Sequence, residues 1–288
     1  MAWQTPGFHW SAAGPRRYKS AMRAGRFFAP DLMTGDVAIV TGGGTGIGKA
    51  VAIALTECGA RVAIASRSAE HVQNGAAEIA AATGVTPLAR TCDIRRPEEV
   101  EGLVAFVIAE CGRLDVLVNN AGGQFAQRAE QYSVKGWNTV IDLNLNGTWY
   151  ATQAAGKRMI AAGAGRIVNV IANHHRGIPG NAHTSAARAA VANLTKTLAV
   201  EWGRHGIRIN AVAPGPIAAS GFTSNYDAAV VAHARDLPLG RLGTVEEVAA
   251  AVVFLASAAS SWTTGTTLDV TGGQHLAGDT WVVDPEST

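Results

Sequence analysis

The feature that most constrains this chain is a regular alternation between short apolar runs and longer helical patterns. Seven runs rich in Val, Ile and Ala occur at 36–41, 61–66, 87–92, 114–119, 165–171, 207–213 and 266–270. Helical patterns separate them, at 46–58, 69–82, 97–111, 133–162, 182–204 and 244–258. Continuously apolar runs are typical of strands that crossover helices cover on both faces. The sequence therefore predicts an α/β fold: a single domain with a Rossmann-type, doubly wound, seven-stranded parallel sheet.

Composition favours a globular protein and argues against several other classes. Hydrophobic residues make up 48% and charged residues 16% of the 288 residues, and the formal net charge is +2. So small a net charge provides no basic field, and we expect no nucleic-acid partner. The longest apolar run, 249–259, is too short to cross a bilayer and predicts a buried helix rather than a membrane span. Three scattered cysteines without CxxC spacing argue against a disulfide framework or a zinc site, so we expect no metal.

The first 26 residues differ from the rest of the chain. They hold five basic side chains and neither Asp nor Glu; the basic residues are Arg16, Arg17, Lys19, Arg23 and Arg26. Such a start is found in organellar presequences, in chains with an upstream start codon and in loosely ordered arms. We predict a basic, poorly ordered arm over 1–26 and a folded domain over 27–288. The predicted location is the cytoplasm, with an organelle matrix as the alternative.

A glycine-rich segment, TGGGTGIGKA at 41–50, joins the first apolar run to the first helical pattern. In a βαβ unit, glycines at this place make a tight turn and let the backbone approach a pyrophosphate. The N-terminus of the following helix then faces that group with free N–H groups. We therefore assign cofactor binding to Gly42, Thr45, Gly46, Ile47 and Gly48.

The end of the second apolar run indicates which dinucleotide binds. An acidic residue there would bind the ribose 2′-hydroxyl of NAD. This chain has Ser66 and Arg67 instead, with no acid before Glu70. An arginine can pair with a 2′-phosphate through two hydrogen bonds. The prediction is NADP(H), bound through Ser66 and Arg67; the alternative is that Arg67 is a solvated surface residue.

Several motifs then follow one another in the order typical of one family. They are TGGGTGIG at 41–48, CDI at 92–94, NNAGG at 119–123, NLNG at 144–147, IVNV at 167–170 and PG at 214–215. Over about 36–273 the chain resembles the short-chain dehydrogenase/reductase superfamily. The resemblance implies that Asn144 anchors a water near the family's catalytic lysine. It also implies that Asp93 and Ile94 contact the adenine. Asn120, Ala121 and Gly122 are implied to line the nucleotide, and Pro214, Gly215 and Ile217 to border the nicotinamide.

The chain departs from this family where the family does its chemistry. Ala172 stands at the place of a catalytic serine, and Thr184 and Arg188 stand at the places of the YxxxK tyrosine and lysine. Ketone reduction needs an acid, which a phenol beside a lysine provides and threonine does not. Reduction of an enoyl thioester places charge on the thioester oxygen, where a hydroxyl donor can serve. The predicted catalytic residues are therefore Thr184, Arg188 and Asn144, with Arg188 also holding the nicotinamide ribose.

The segment 183–215, with GGQF at 122–125 and FFAPDLMTG at 27–35, resembles the peroxisomal trans-2-enoyl-CoA reductases and, less closely, the 2,4-dienoyl-CoA reductases. This resemblance implies NADP(H)-dependent reduction of the 2,3 double bond of an enoyl-CoA. It further implies an acyl-CoA-like substrate and a homotetramer or homodimer. Two alternatives stay open: a 2,4-dienoyl-CoA or other conjugated-alkene reductase, and a catalytically impaired NADP(H)-binding sensor or structural subunit.

The sequence leaves the source of the α-carbon proton open. His174 and His175 follow the fifth apolar run, where doubly wound sheets place their ligands. His183 precedes Thr184, and both a catalytic and a packing role are open for it; solvent water is a further source. The segment 216–243 is apolar enough for an acyl chain, through Phe222, Tyr226, Leu237 and Leu239.

Overall fold

Strands and helices alternate along the chain as the sequence predicts. The computed structural model describes residues 24–219 and 237–276. Its strands are β1 Val37–Thr41, β2 Arg61–Ser66, β3 Leu88–Thr91, β4 Val116–Asn119, β5 Gly165–Val170, β6 Ile207–Pro214 and β7 Thr267–Val270. Its α-helices are α1 Gly46–Glu57, α2 Ala69–Thr83, α3 Pro97–Cys111, α4 Val134–Ile141, α5 Gly147–Ala162, α6 Ala182–Gly203 and α7 Val245–Ala256. The strands form one parallel sheet in the order β3-β2-β1-β4-β5-β6-β7, which confirms the predicted Rossmann-type fold.

Alternate residues of the interior strand β1 pack on opposite faces of the sheet. Ala38 and Val40 belong to the core that this face shares with α1 and α7. Val37 and Ile39 belong to a second core on the other face, formed with α3, α5 and the end of α6. Because both faces are covered, every residue of the strand is buried, and the strand sequence shows no polar alternation.

The sequence predicts a single helix over 133–162, but the structure has two helices there. Helices α4 and α5 are separated by a π-helical segment, Asp142–Asn146. The wider turn holds Asn144 fully buried, and its carbonyl oxygen accepts a hydrogen bond from Thr148 Oγ1 at 3.0 Å. Hydrophobic periodicity continues through such a turn, so only the tertiary structure shows it.

The strand order reverses between β1 and β4. These two strands are neighbours in the sheet, with Thr41 opposite Asn119 at their carboxyl ends. Doubly wound sheets bind ligands in the crevice outside the strand ends at such a reversal. The glycine loop that begins at Gly42 and the segment that begins at Asn120 therefore both leave the sheet at the expected ligand site.

The N-terminal end of the described chain lies against the sheet domain. A short 3-10 helix, Ala24–Phe27, packs on α1 and α7, so the last residues of the predicted arm contact the fold. The rest of that arm lies outside the described residues, as do Phe222 and Tyr226, and the predicted domain boundary stays a prediction. Within 24–219 and 237–276, no helix combines the length and apolar character that a bilayer crossing requires.

Replacing Gly156 of α5 should destabilise the fold. A Cβ at this position would lie 2.5 Å from the ring of Trp202 on α6. Gly156→Ala must therefore displace a large side chain, and we expect it to lower the free energy of unfolding by about 1–3 kcal/mol. Gly203→Ala is the matched control, because nothing lies within 4 Å of its Cβ and alanine favours a helix. Urea unfolding measures both variants, and equal midpoints would contradict this packing.

Candidate active site

The hydroxyl of Thr41 joins the carboxyl ends of β1 and β4. Its Oγ1 accepts hydrogen bonds from the backbone N–H groups of Asn120 (3.0 Å) and Ala121 (3.1 Å) and donates to the Val118 carbonyl (3.3 Å). The side-chain amide of Asn120 donates to the carbonyls of Thr41 (3.1 Å) and Gly42 (3.2 Å). These bonds fix the glycine loop against the segment after β4. The sequence analysis did not predict that Thr41 links the two strand ends. The position of its hydroxyl, directly before the glycines, could have indicated this role.

The glycine loop leaves the N-terminus of α1 uncapped by side chains. Gly42 and Gly46 have φ angles of 66° and 50°, a region that favours glycine. A Cβ at Gly48 would lie 2.2 Å from the Gly42 carbonyl oxygen, whereas a Cβ at Gly46 would meet nothing within 4 Å. Thr45 is the exposed N-cap residue, its side chain accepts no hydrogen bond from the helix, and Ile47 is half-buried. The first-turn N–H groups are thus left for a ligand, which suits a diphosphate.

Ser66 and Arg67 leave β2 at the same edge of the sheet. The Ser66 hydroxyl accepts a hydrogen bond from the Ser68 N–H at 3.4 Å, and Arg67 is exposed. Asp93 follows β3, and its pKa is lowered mainly by a hydrogen bond from Arg95. Burial acts in the opposite direction, and the positive charge of Arg67 makes a smaller contribution that lowers the pKa further. Arg67 therefore lies near enough to Asp93 to act on it electrostatically. The arrangement leaves the Arg67 guanidinium accessible to a phosphate.

Asp93 and Ile94 have different environments. The Asp93 carboxylate accepts hydrogen bonds from Arg95 Nε at 2.9 and 3.1 Å and from its Nη2 at 2.5 Å, while the Asp93 N–H donates to Glu99 at 2.8 Å. Ile94 is buried, and its side chain packs where a Cβ at Gly147 would lie. Asp93 is therefore a fixed anion at this edge, and Ile94 belongs largely to the core.

Three of the predicted site residues meet at Gly122. Asn144 accepts a hydrogen bond from the Gly123 N–H at 3.1 Å and donates to the Gly123 carbonyl at 2.8 Å. A Cβ at Gly122 would lie 2.1 Å from Arg188 Nη2 and 2.7 Å from Asn144 Oδ1. The guanidinium of Arg188 therefore lies directly against the backbone that follows β4. The predicted water at Asn144 stays a prediction.

Arg188 is a buried cation. It is 8% exposed, and burial lowers its pKa to about 10, so it stays charged at neutral pH. Among the ion pairs of the described residues, none includes Arg188. A buried charge without a counter-ion is costly, so a ligand with acceptor oxygens would stabilise it. The ribose and phosphates of a nicotinamide nucleotide fit this requirement.

Thr184 lies one turn before Arg188 on α6, and the two side chains therefore share a helix face. Thr184 is 2% exposed. Its backbone N–H donates to His183 Nδ1 at 2.7 Å, and its hydroxyl oxygen lies 3.2 Å from the same nitrogen. Of the three predicted catalytic residues, Asn144 and Arg188 meet at Gly122 after β4, and Thr184 lies one helical turn from Arg188.

The turn after β6 is held by the last residue of β7 and by the segment that follows β5. The Gly215 N–H donates to the Val270 carbonyl at 3.0 Å, and the Asn173 N–H donates to the Pro214 carbonyl at 3.1 Å. Pro214 and Ile217 are buried, and Ile217 pairs with Gly243. The backbone of this predicted nicotinamide border is therefore rigidly placed, with Ile217 contributing to the core.

His175 contacts Asp269 of β7, and the ring of His174 stacks on that of His175. The two rings stack with their centroids 4.9 Å apart, and His175 Nε2 lies 3.0 Å from an Asp269 oxygen. Sequence reasoning missed Asp269, because strand pairing across β6 brings it near. Within the part of the chain that the structure describes, no group of His, Cys, Asp and Glu residues could hold a metal ion.

Sequence comparison agrees with this architecture. A family model described as Enoyl-(Acyl carrier protein) reductase matches residues 42–275. The chain belongs to the short-chain dehydrogenase/reductase family. It is therefore an oxidoreductase of a family that uses nicotinamide cofactors. The resemblance that the sequence motifs indicate is confirmed.

Individual relatives of this short-chain dehydrogenase/reductase match over most of their length. A peroxisomal 2,4-dienoyl-CoA reductase of Danio rerio is 38% identical over 256 residues, which are 86% of this chain and 84% of that protein. A probable 2,4-dienoyl-CoA reductase of Bacillus subtilis is 40% identical over 244 residues, 83% of this chain and 96% of that protein. A solved structure, a citronellol catabolism dehydrogenase of Pseudomonas aeruginosa, is 40% identical with a TM-score of 0.77, covering 86% of this chain and 98% of that one.

Gly122→Ala should disable this short-chain reductase site without unfolding the protein. The added Cβ would overlap Arg188 Nη2 and must displace the guanidinium. We expect turnover to fall about 100-fold, as for other small misplacements of site groups. Gly123→Ala is the control, since its Cβ would meet only Leu143 Cδ2, at 3.2 Å. Steady-state rates and thermal midpoints are measured together; equal rates in the two variants would show that Arg188 does not act from this position.

Proposed function

We propose that this enzyme uses NADPH to reduce a carbon–carbon double bond conjugated to a thioester carbonyl, with the 2,3 double bond of an enoyl-CoA as the first candidate. The observation that carries the proposal is the pair Thr184 and Arg188. Both are buried on one face of α6, where the family usually has a tyrosine and a lysine, and Arg188 lies against Gly122. The proposed substrate class follows from what these two groups can do chemically.

A hydroxyl and a fixed cation suit an enolate better than an alkoxide. NADPH, when bound, supplies a hydride to the β-carbon of the thioester. Negative charge then develops on the thioester oxygen, where a buried donor at Thr184 would stabilise it more than water does, until the α-carbon takes up a proton. The Thr184 hydroxyl is a far weaker acid than the general acid, active near the working pH, that ketone reduction favours. Arg188 retains its charge and can stabilise an oxyanion or hold ribose hydroxyls, but does not relay a proton.

A 2,4-dienoyl-CoA is the second candidate, because the Danio rerio and Bacillus subtilis relatives carry that name. Hydride addition to a dienoyl thioester also sends charge to the thioester oxygen, through the longer conjugated system. Thr184 and Arg188 would then act as they do for the shorter system. The peroxisomal name of the Danio rerio relative also supports the organelle-matrix alternative for this chain. The acyl-CoA-like substrate and the dimer or tetramer belong to the same proposal.

A comparison of substrates tests the function. Purified protein is mixed with NADPH and, in separate reactions, a 2-enoyl-CoA, a 2,4-dienoyl-CoA and a 3-ketoacyl-CoA, and the loss of reduced nicotinamide is followed. We expect turnover of at least one conjugated alkene and little of the ketone. Turnover of the ketone alone would overturn the proposal, and NADPH binding without turnover would favour the sensor alternative.

Thr184→Val examines the proposed donor in the same assay. Valine retains the shape of threonine and removes the hydroxyl, so we expect kcat to fall about 100- to 1000-fold, as it does when an oxyanion donor is lost. The dissociation constant for NADPH should stay close to that of the wild type. An unchanged kcat would exclude Thr184 from the site.

Arg67→Asp tests the choice of NADPH over NADH. The substitution replaces a phosphate partner by a repelling carboxylate, so we expect the NADPH KM to rise about 10- to 100-fold, as for loss of a charge-assisted hydrogen bond. Arg61→Asp, at the opposite end of β2, makes the same change in net charge and serves as the control. Equal KM values for NADPH in both variants would place Arg67 outside the cofactor site.

A further inference from the structure

The N-terminus of α6 is capped in an unusual way. Asn181 is its N-cap residue, yet the Asn181 side chain accepts no hydrogen bond from the helix. Both amide atoms of that side chain are buried and have no partner among the described residues. The Thr184 N–H, which an N-cap side chain ordinarily accepts, donates instead to His183 Nδ1 at 2.7 Å. The imidazole of His183 therefore takes over the capping role at the residue that carries the proposed oxyanion donor.

This hydrogen bond defines the protonation state of His183. A ring nitrogen that accepts an N–H carries no proton, so the neutral ring has its proton on Nε2. His183 is fully buried, and burial lowers its pKa, so the ring is neutral at pH 7. Its Nε2 has no hydrogen-bond partner in the described part of the chain. The ring nitrogen that accepts the hydrogen bond is therefore Nδ1, which faces Thr184.

Aromatic side chains hold the His183 ring in place. Its centroid lies 4.7 Å from that of Phe125, 4.5 Å from that of Tyr132 and 6.5 Å from that of Trp137. Tyr132 is itself anchored, because its hydroxyl donates to the Gly180 carbonyl at 2.9 Å. A ring enclosed in this way cannot turn its Nδ1 away from Thr184 without moving its neighbours.

The two donors of Thr184 compete unequally for one lone pair. The backbone N–H lies 2.7 Å from His183 Nδ1, whereas the hydroxyl oxygen lies 3.2 Å from it. The shorter bond occupies the lone pair, so the Thr184 hydroxyl lies close to His183 Nδ1 but binds it only weakly. An oxyanion is a stronger acceptor than a shared imidazole nitrogen. The hydroxyl proton can therefore turn to a substrate oxygen at little cost.

We propose that His183 is a positioning residue whose Nδ1 fixes Thr184 so that the Thr184 hydroxyl is presented to the thioester oxygen. The inference rests on the proposed function, in which Thr184 is the oxyanion donor. His183 does not touch the substrate in this account; it acts through Thr184. The residue that stands at the place of the family's tyrosine is thus bound by its own neighbour in the chain.

The titration of His183 provides a readout that packing alone would not change. Protonation would place a proton on Nδ1 and remove the acceptor, so kcat should fall as pH decreases through the His183 pKa, which burial lowers from its ordinary value. Burial raises the pKa of Tyr132, the titratable ring in contact with His183, so Tyr132 stays neutral over this range. The other charged groups on the surrounding elements are Arg128, Glu130, Lys135 and Arg188.

Three substitutions of His183 distinguish the contributions of Nδ1, of Nε2 and of the ring shape to kcat. Asparagine places an oxygen near the position of Nδ1, glutamine reaches the position of Nε2, and phenylalanine retains a ring without an acceptor. We expect kcat for the conjugated thioester to fall about 10- to 100-fold in His183→Phe and His183→Gln. His183→Asn should recover most of that loss and should lack the acidic decline in kcat. The dissociation constant for NADPH should be similar in all variants that fold.

The outcomes distinguish this inference from the proposed function. If His183→Gln retains more activity than His183→Asn, or if the acidic decline persists in His183→Asn, His183 does not act through Nδ1. If the wild type reduces no conjugated thioester, the proposed function fails. In that case nitrogen NMR of the labelled histidine still tests the geometry: we expect an unprotonated Nδ1 and a protonated Nε2, and the opposite tautomer would overturn the inference.

Discussion

The hydrogen bonds between Thr41 and the backbone after β4 connect the two strands at which the sheet order reverses. The Thr41 hydroxyl serves two N–H groups and one carbonyl, and the Asn120 amide binds the first carbonyls of the glycine loop. The glycine loop and the segment after β4, two of the predicted nucleotide-binding segments, leave the sheet from these points. If the two strand ends moved apart, the glycine loop and the Gly122 backbone would no longer face the same crevice.

The backbone beyond β4 then supports the second half of the site. Asn144, buried in a π-helical turn, binds both the N–H and the carbonyl of Gly123, and Arg188 lies against Gly122. Because no side chain stands at Gly122, a buried cation can approach the backbone there. The cation has no carboxylate partner in the described residues, so the site itself favours a ligand rich in oxygen acceptors. Thr184 and His183 complete this half from the start of α6.

Much of the fold and part of the site follow from patterns along the chain. Continuous apolar strands, helical spacing and the glycine loop predict the parallel sheet and the place of the nucleotide, because each depends on residues close in sequence. The substitution of Thr184 and Arg188 for a tyrosine and a lysine is likewise visible by alignment alone. By contrast, the division of 133–162 by a π-helical turn leaves the periodicity intact, and the sequence predicts one helix there.

The sequence by itself determined the order of the elements, the family and the residue types at the working positions. Only the tertiary structure decided which of these residues meet. His175 turns to Asp269, which is remote in sequence, whereas His183, adjacent to Thr184, caps its N–H instead of only packing beside it. The physical reason is that hydrogen-bond partners and burial depend on contacts between distant segments. A periodic pattern specifies the face of an element, but not the atom that the opposite element presents to it.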